Sequence, residues 1–155
     1  MTIPGHMFRA ICGQAEATYP DECCGVVFAR VDAPGKLTRV RPCRNAQDEL
    51  HALDPEVFPR TARDAYFVDP GDLLAIARET RERNEVVRVI YHSHPDADAY
   101  FSEEDQRRAI SNGEPVFPEV QYLVVSVRRG TFDRARLFEW NPKNGAFGAV
   151  EPGSE

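Results

Sequence analysis

No stretch of this sequence holds the ~18 consecutive apolar residues that a membrane-crossing helix requires, and its first residues lack the charged start and apolar run of a secretory leader. A cytoplasmic protein with no membrane partner is the expectation. Cysteines are few: Cys12, Cys23, Cys24 and Cys43 occur without C-x-x-C spacing, and a reducing cytosol disfavours disulfides, so four free thiols are expected. Cations are outnumbered, 19 Lys and Arg against 25 Asp and Glu, for a formal charge of −6, and they are scattered among acids. Even the segment from Arg78 to Arg83 is interrupted by Glu79 and Glu82 at helical spacing, the pattern of a solvated helix face. Nucleic acid is therefore not an expected partner, because neutralising phosphates needs concentrated Lys and Arg. Internal repeats and a second block of composition are also missing.

What remains is an ordinary globular composition, 42% apolar and 28% charged, over 155 residues, enough to bury a core without disulfide or metal staples. Residues 1–140 read as a single domain and residues 141–155 as a loose C-terminal tail.

Met7, Ile11, Ala15 and Thr18 recur at three-to-four-residue intervals, predicting an opening helix that stops before Pro20. Residues 25–31 and 37–41, around the turn signal Pro34-Gly35, predict a hairpin. The polar stretch from Arg44 to Ala65, broken by Pro55 and Pro59, predicts a long loop with about one helical turn, a kind of segment that often carries function. Tyr66 to Val68 could form a short strand. Asp69 caps a helix that starts at Pro70 and runs to about Asn84. Residues 86–91 (VVRVIY) are the most strand-like run, ending in His92-Ser93-His94-Pro95, and the small and acidic residues that follow to Phe101 predict a loop. Ser102 followed by Glu103, Glu104 and Asp105 marks the start of a helix expected to end near Asn112-Gly113. Residues 120–127 and 131–140 predict two more strands around Arg128-Arg129-Gly130. The fold class expected from this order is α/β (α+β), a mixed sheet sandwiched by helices.

One pair of residues stands out chemically. His92 and His94 lie one residue apart at the end of a buried strand, and side chains of an extended segment alternate with period two, so both rings can face one ion. Asp105 is a third ligand candidate, one turn into the next helix and on the same face as Ser102. Two imidazoles and one carboxylate around zinc leave a fourth position for water, the mark of a catalytic rather than a structural site. Glu22 is a candidate general base for that water, and Ser102 a candidate donor to the oxyanion that develops at an attacked carbonyl. In isolation Glu22 is an ordinary turn acid with Asp21 as its competitor, and Ser102 and Asp105 are a helix cap and a first-turn acid. Cys23 and Cys24 beside a strand read as small core residues rather than nucleophiles. The absence of a P-C-x-x-C ligand pair excludes a zinc deaminase.

These residues resemble the JAMM/MPN+ metallopeptidases, whose signature is a distant Glu followed by H-x-H-x(7)-S-x-x-D. His92-Ser93-His94, the seven residues from Pro95 to Phe101, and Ser102-Glu103-Glu104-Asp105 fill every defined position, with Glu22 upstream. Residues 19–25 (YPDECCG) are also similar to the P-x-E-x-C-G segment of small bacterial members, and the resemblance spans Ile11 to Arg108. It implies a JAMM/MPN-like fold and zinc held by His92, His94 and Asp105. Glu22 would be the base and Ser102 a catalytic donor. The implied substrate is an amide or isopeptide bond at the C-terminal tail of a ubiquitin-like or sulfur-carrier protein, the activity of a deubiquitinase-like isopeptidase. The loops from Arg44 to Ala65 and from Gly113 to Pro118 would choose the carrier. Two alternatives stand beside it. One is hydrolysis of small peptides or amino-acid conjugates, with an acidic rim from Asp96 and Asp98 favouring a cationic group. The other is a non-catalytic binding scaffold. The segment from Asp96 to Phe101 (DADAYF) departs from the family by being more acidic and aromatic.

Overall fold

Residues 2–150 are described in a computed structural model. Helix α1 (Gly5–Thr18) buries the stripe Met7, Ile11 and Ala15 that its periodicity foretells, and it ends at Tyr19 before Pro20. Strands β1 (Cys24–Arg30) and β2 (Ala33–Cys43) form the expected hairpin, and α2 (Gln47–Leu53) is the short helical piece within the long loop. Helix α3 (Pro70–Arg83) starts where Asp69 accepts the Asp72 amide at 3.2 Å and Pro70 fills the first turn. It stops where Asn84 turns left-handed at φ 53°.

Strand β3 (Glu85–Pro95) follows, then α4 (Glu103–Ala109), the two-residue strands β4 (Ile110–Ser111) and β5 (Glu114–Pro115), and the strands β6 (Gln121–Arg128), β7 (Thr131–Asn141) and β8 (Ala146–Ala149). The main sheet has the order β2-β1-β3-β6-β7-β8, and β3 and β6 are its parallel pair.

Period-two alternation divides this sheet into two chemically distinct faces. Val27, Ala29, Val89, Tyr91, Leu123 and Val125 point to one side and pack on Met7, Ile11 and Ala15 of α1. Complete burial of a residue such as Ile11 contributes roughly 1.5–3 kcal/mol. On the opposite side Cys24, Val26 and Phe28 pack on Ile76 of α3, while Tyr122, Val124, Phe138 and Phe147 pack on Ala109 of α4. The mixed sheet is thus sandwiched by helices, as expected. Among the described residues, no helix is long and apolar enough to cross a membrane.

A tie fastens α1 to the strand that leaves the site. Tyr91 Oη donates to Gln14 Oε1, and Gln14 Nε2 donates to the Cys24 carbonyl at 2.9 Å. Only glycine allows it, since a Cβ on Gly25 would lie 2.1 Å from that hydroxyl.

Strand β3 ends in His92-Ser93-His94-Pro95 as expected, because β6 pairs with it as far as Val127. Three expectations need correction. The Ser102 helix ends at Ala109, not near Asn112. Positive φ at Asn112 and Gly113 makes these two residues the turn of the β4–β5 hairpin instead. The strand suggested at Tyr66 to Val68 is a single bridge between Asn45 and Val68. The tail expected from residue 141 is ordered at Ala146–Ala149, which add to the sheet edge while Phe147 buries itself among Tyr122, Phe101 and Trp140. Residues 151–155 lie outside the described residues.

Candidate metal centre

The site is assembled on the α4 face of the sheet. His92 lies between Cys24 of β1 and Val124 of β6, and His94 pairs with Ser126, so both rings point toward α4. Ser93 points the other way and its hydroxyl accepts the Cys23 amide at 2.7 Å. That bond sets the chain just ahead of β1 beside the histidines, which brings Glu22 to them. Glu22 is only 4% exposed, its backbone amide donating to the Ala62 carbonyl at 2.7 Å.

Asp105 is delivered by the start of α4. The Ser102 hydroxyl accepts the Asp105 amide at 3.1 Å, and Asp105 Oδ2 accepts the Ser102 amide at 2.9 Å, a reciprocal capping box. The same Oδ2 lies 3.2 Å from His92 Nε2 and 3.5 Å from His94 Nε2, while the two Nε2 atoms are 3.2 Å apart. Ligands bonded at about 2.0–2.1 Å to a tetrahedral ion stand about 3.3 Å from one another. The triangle therefore fits such an ion. A carboxylate oxygen of Glu22 and one ring nitrogen from each histidine also lie within 4.8 Å of one another, a group that can hold a metal.

Hydrogen bonding prepares the donors. His94 Nδ1 lies 2.9 Å from the Asp98 carbonyl, which only an N–H can meet, so Nε2 keeps its lone pair for the site. His92 Nδ1 is buried without a hydrogen-bond partner among the described residues, and its ring is held by stacking on Tyr66 at 4.5 Å and 24°. Tyr100 meets the His94 ring edge-on at 5.0 Å. Burial lowers the His92 pKa against the pull of Asp105, which keeps that ring neutral, the form a metal needs. Burial would raise the Asp105 carboxyl, yet His92, His94 and the Ser102 amide together hold it well below the ordinary carboxylate range. Of the buried thiols, Cys23 is pushed by burial up to about 11 and Cys24 higher still, so neither offers a thiolate near neutrality. All four cysteines are unpaired.

Glu22 behaves differently. Burial, with repulsion from Asp105 and Asp64, pushes its carboxyl from 4.5 up to about 9. Between these two values the unfolded chain is ionised and the folded metal-free chain is protonated, so folding takes up a proton and stability falls as pH rises. At pH 8 this costs at most roughly 5 kcal/mol. Glu22→Gln removes the penalty. In urea unfolding with chelator present, the variant is expected to be more stable than wild type at pH 8 and to match it near pH 4.5. A wild-type midpoint that does not fall between these pH values relative to the variant would contradict the assignment.

All five residues singled out in the sequence, Glu22, His92, His94, Ser102 and Asp105, converge here, and except for the fully buried His92 they line one open cleft of about 120 Å³. Its rim is not the acidic one that Asp96 and Asp98 suggested. Asp96 accepts Tyr19 Oη and the Arg129 amide, Asp98 gives its backbone carbonyl to His94, and neither lines the cleft. Phe101 stacks with Phe138 in the core. Asp96, Asp98 and Phe101 are thus spent on structure, while Tyr100 alone of residues 98–101 faces the site. The lining of the cleft instead carries Arg60, Arg63 and Arg108 beside the acids Asp64 and Glu104. Sequence patterning passed over these arginines and the aromatic supports Tyr66 and Tyr100. Tyr100 carried a signal, an aromatic two residues before the Ser102 cap, whereas Tyr66, Arg60 and Arg63 sit in a segment without periodicity and Arg108 reads as an ordinary helix-face cation.

A peptidase of Mycobacterium tuberculosis named CysO-cysteine peptidase is 29% identical over 128 residues, covering 83% of this chain and 74% of its own. Tail tip assembly protein K of Escherichia phage N15 is 37% identical over 98 residues, 63% of this chain and 31% of its own. Solution structures of proteins from Desulfitobacterium hafniense and Salinibacter ruber share the fold, with TM-scores of 0.65 and 0.58 at 23% and 24% identity. They cover 95% and 96% of this chain and 87% of their own. The family described as prokaryotic homologs of the JAB domain matches residues 4–141, and this chain belongs to it.

Proposed function

We propose that this chain is a zinc metallopeptidase that hydrolyses an amide or isopeptide bond after the C-terminal tail of a ubiquitin-like or sulfur-carrier protein. The observation that carries the proposal is the triangle of His92 Nε2, His94 Nε2 and Asp105 Oδ2, 3.2–3.5 Å on each side, with the buried Glu22 carboxyl beside it. The name of the mycobacterial relative supports a sulfur-carrier protein as the substrate class.

In this reading His92, His94 and Asp105 hold the zinc. Bound zinc supplies a Lewis acid that activates water near neutral pH, and a positive field that lowers the Glu22 carboxyl from the value burial imposes. Glu22 takes the proton that water loses and passes it to the leaving nitrogen. Ser102 Oγ already accepts the Asp105 amide, which leaves its own hydrogen to donate to the oxygen of the attacked carbonyl. Tyr66 and Tyr100 hold the imidazoles in place.

Incubation of the metal-loaded protein with carrier fusions, followed by intact-mass measurement, tests the proposal. Release of the fused group directly after the carrier tail is the expected result. Cleavage of dipeptides alone would replace the substrate by a small conjugate, and zinc binding with no cleavage of either would leave a scaffold.

A further inference from the structure

Glu22 is placed by its backbone. Its carboxyl makes no hydrogen bond among the described residues, whereas both of its main-chain polar groups are held. The amide donates to the Ala62 carbonyl at 2.7 Å, and the carbonyl accepts Asn45 Nδ2 at 3.0 Å. The Asn45 side chain is fully used. Nδ2 also donates to the Ala65 carbonyl at 3.1 Å, and Oδ1 accepts the Gln47 and Phe67 amides, each at 3.0 Å. A primary amide has two donor hydrogens and two acceptor lone pairs, so nothing is left over for a substrate.

Three of these four bonds end at the site. Two grip the residues on either side of Tyr66, the ring stacked on His92, and a third grips Glu22 itself. The fourth starts α2 at Gln47. The Ala46 amide adds a bond to the Phe67 carbonyl at 2.7 Å, and Asn45 bridges Val68. No bond from Asn45 reaches His92, His94 or Asp105, whose positions come from the ladder of β3 with β6 and from the cap of α4. The metal triangle and the carboxyl beside it are thus located by separate means.

We propose that Asn45 is a positioning residue for the reaction: its amide fixes where Glu22 stands relative to the metal triangle, without touching metal or substrate. The proposal rests on the hydrolase reading above and adds a residue to it. Other side chains lack the means. Aspartate offers the acceptors and no donor, serine a single donor, and glutamine carries the amide one methylene too far. Displacing a reacting group by about 1 Å costs on the order of 100-fold in rate.

Asn45→Asp tests this, because it keeps the oxygen that accepts the Gln47 and Phe67 amides and removes both donations. The first measurement needs no activity. Amide exchange at residues 22 and 23 is expected to quicken at least about 10-fold, while exchange along residues 89–94 stays within about 2-fold of wild type. Should the aspartate variant fail to fold, Asn45→Ala is held to the same result. Unchanged exchange at residues 22 and 23, or equal quickening everywhere, overturns the proposal. The second measurement is turnover of a carrier fusion. A fall in kcat of about 10- to 100-fold is expected, with KM within about 2-fold and zinc still at about one per chain. Zinc lost in step with kcat overturns the proposal. Added to Glu22→Gln, Asn45→Asp should lower turnover by less than about 3-fold further, since the group it places no longer takes a proton. An equal loss in both backgrounds would mark a general structural defect and overturn it as well. No cleavage by wild type, with the exchange result intact, would sink the hydrolase reading and leave Asn45 as the seat of Glu22. Cleavage by Asn45→Asp at the wild-type rate would do the reverse.

Discussion

Glu22→Gln is expected to lower turnover of a carrier fusion by about 100- to 10,000-fold while leaving metal content unchanged. The substitution keeps the side chain's size and leaves the bond from the residue 22 amide to the Ala62 carbonyl in place. It takes away only the ability to accept and pass on a proton. Because the glutamine is uncharged, the metal-free variant is also expected to be the more stable protein above neutral pH, and an unchanged or raised unfolding midpoint separates lost activity from unfolding. Metal analysis and kcat on one preparation decide the matter. A variant that retains more than about a tenth of wild-type turnover would remove Glu22 from the chemistry.

His92→Ala and Asp105→Asn are expected to lose the metal itself. Each takes one vertex from the 3.2–3.5 Å triangle, and an ion left with two protein ligands is held far more weakly. After dialysis against a mild chelator, zinc should fall from about one per chain to less than about a tenth, and activity should fall with it by at least about 1,000-fold. Asp105→Asn is the more informative of the two, because an amide oxygen can still accept the Ser102 amide and preserve the cap of α4. His92→Ala leaves a hole against Tyr66 as well. Full zinc occupancy in both variants would move the metal to other ligands.

The legible parts of the sequence were those where local chemistry and tertiary demand coincide. Asp69-Pro70 opens α3 and Asn84 closes it because the capping groups are the local determinants. The Met7, Ile11 and Ala15 stripe was readable because one helix face meets one sheet face. Residues 92–95 read as the end of a strand, but how far the ladder runs is set by β6, and a partner strand leaves no trace in the residues it pairs with. The same holds for Ala146–Ala149, which are in the sheet because Phe147 finds an aromatic cluster built from residues of β6, β7 and the 96–102 segment. In the site, His92, His94, Ser102 and Asp105 lie within one short segment and announce themselves by spacing. Glu22 was raised above Asp21 only by resemblance, since what distinguishes the two is burial, and burial depends on Ala62 and Asn45 far along the chain. The charged residues that complete the lining, Arg60, Arg63 and Asp64, had no signal at all.

The tie between the Cys23 amide and the Ser93 hydroxyl spans 70 residues, whereas His92 and Asp105 are separated by 13. Closing the longer loop costs about 1.5 kcal/mol more in chain entropy than closing the shorter. It also awaits antiparallel docking of β1 on β3, a non-local event of the kind that slows folding. The contact that seats Glu22 therefore depends on the completed sheet more than the His92–Asp105 contact does. In refolding, the metal triangle is expected to close before the carboxyl is set beside it, so that cation capture would precede the capacity to move a proton.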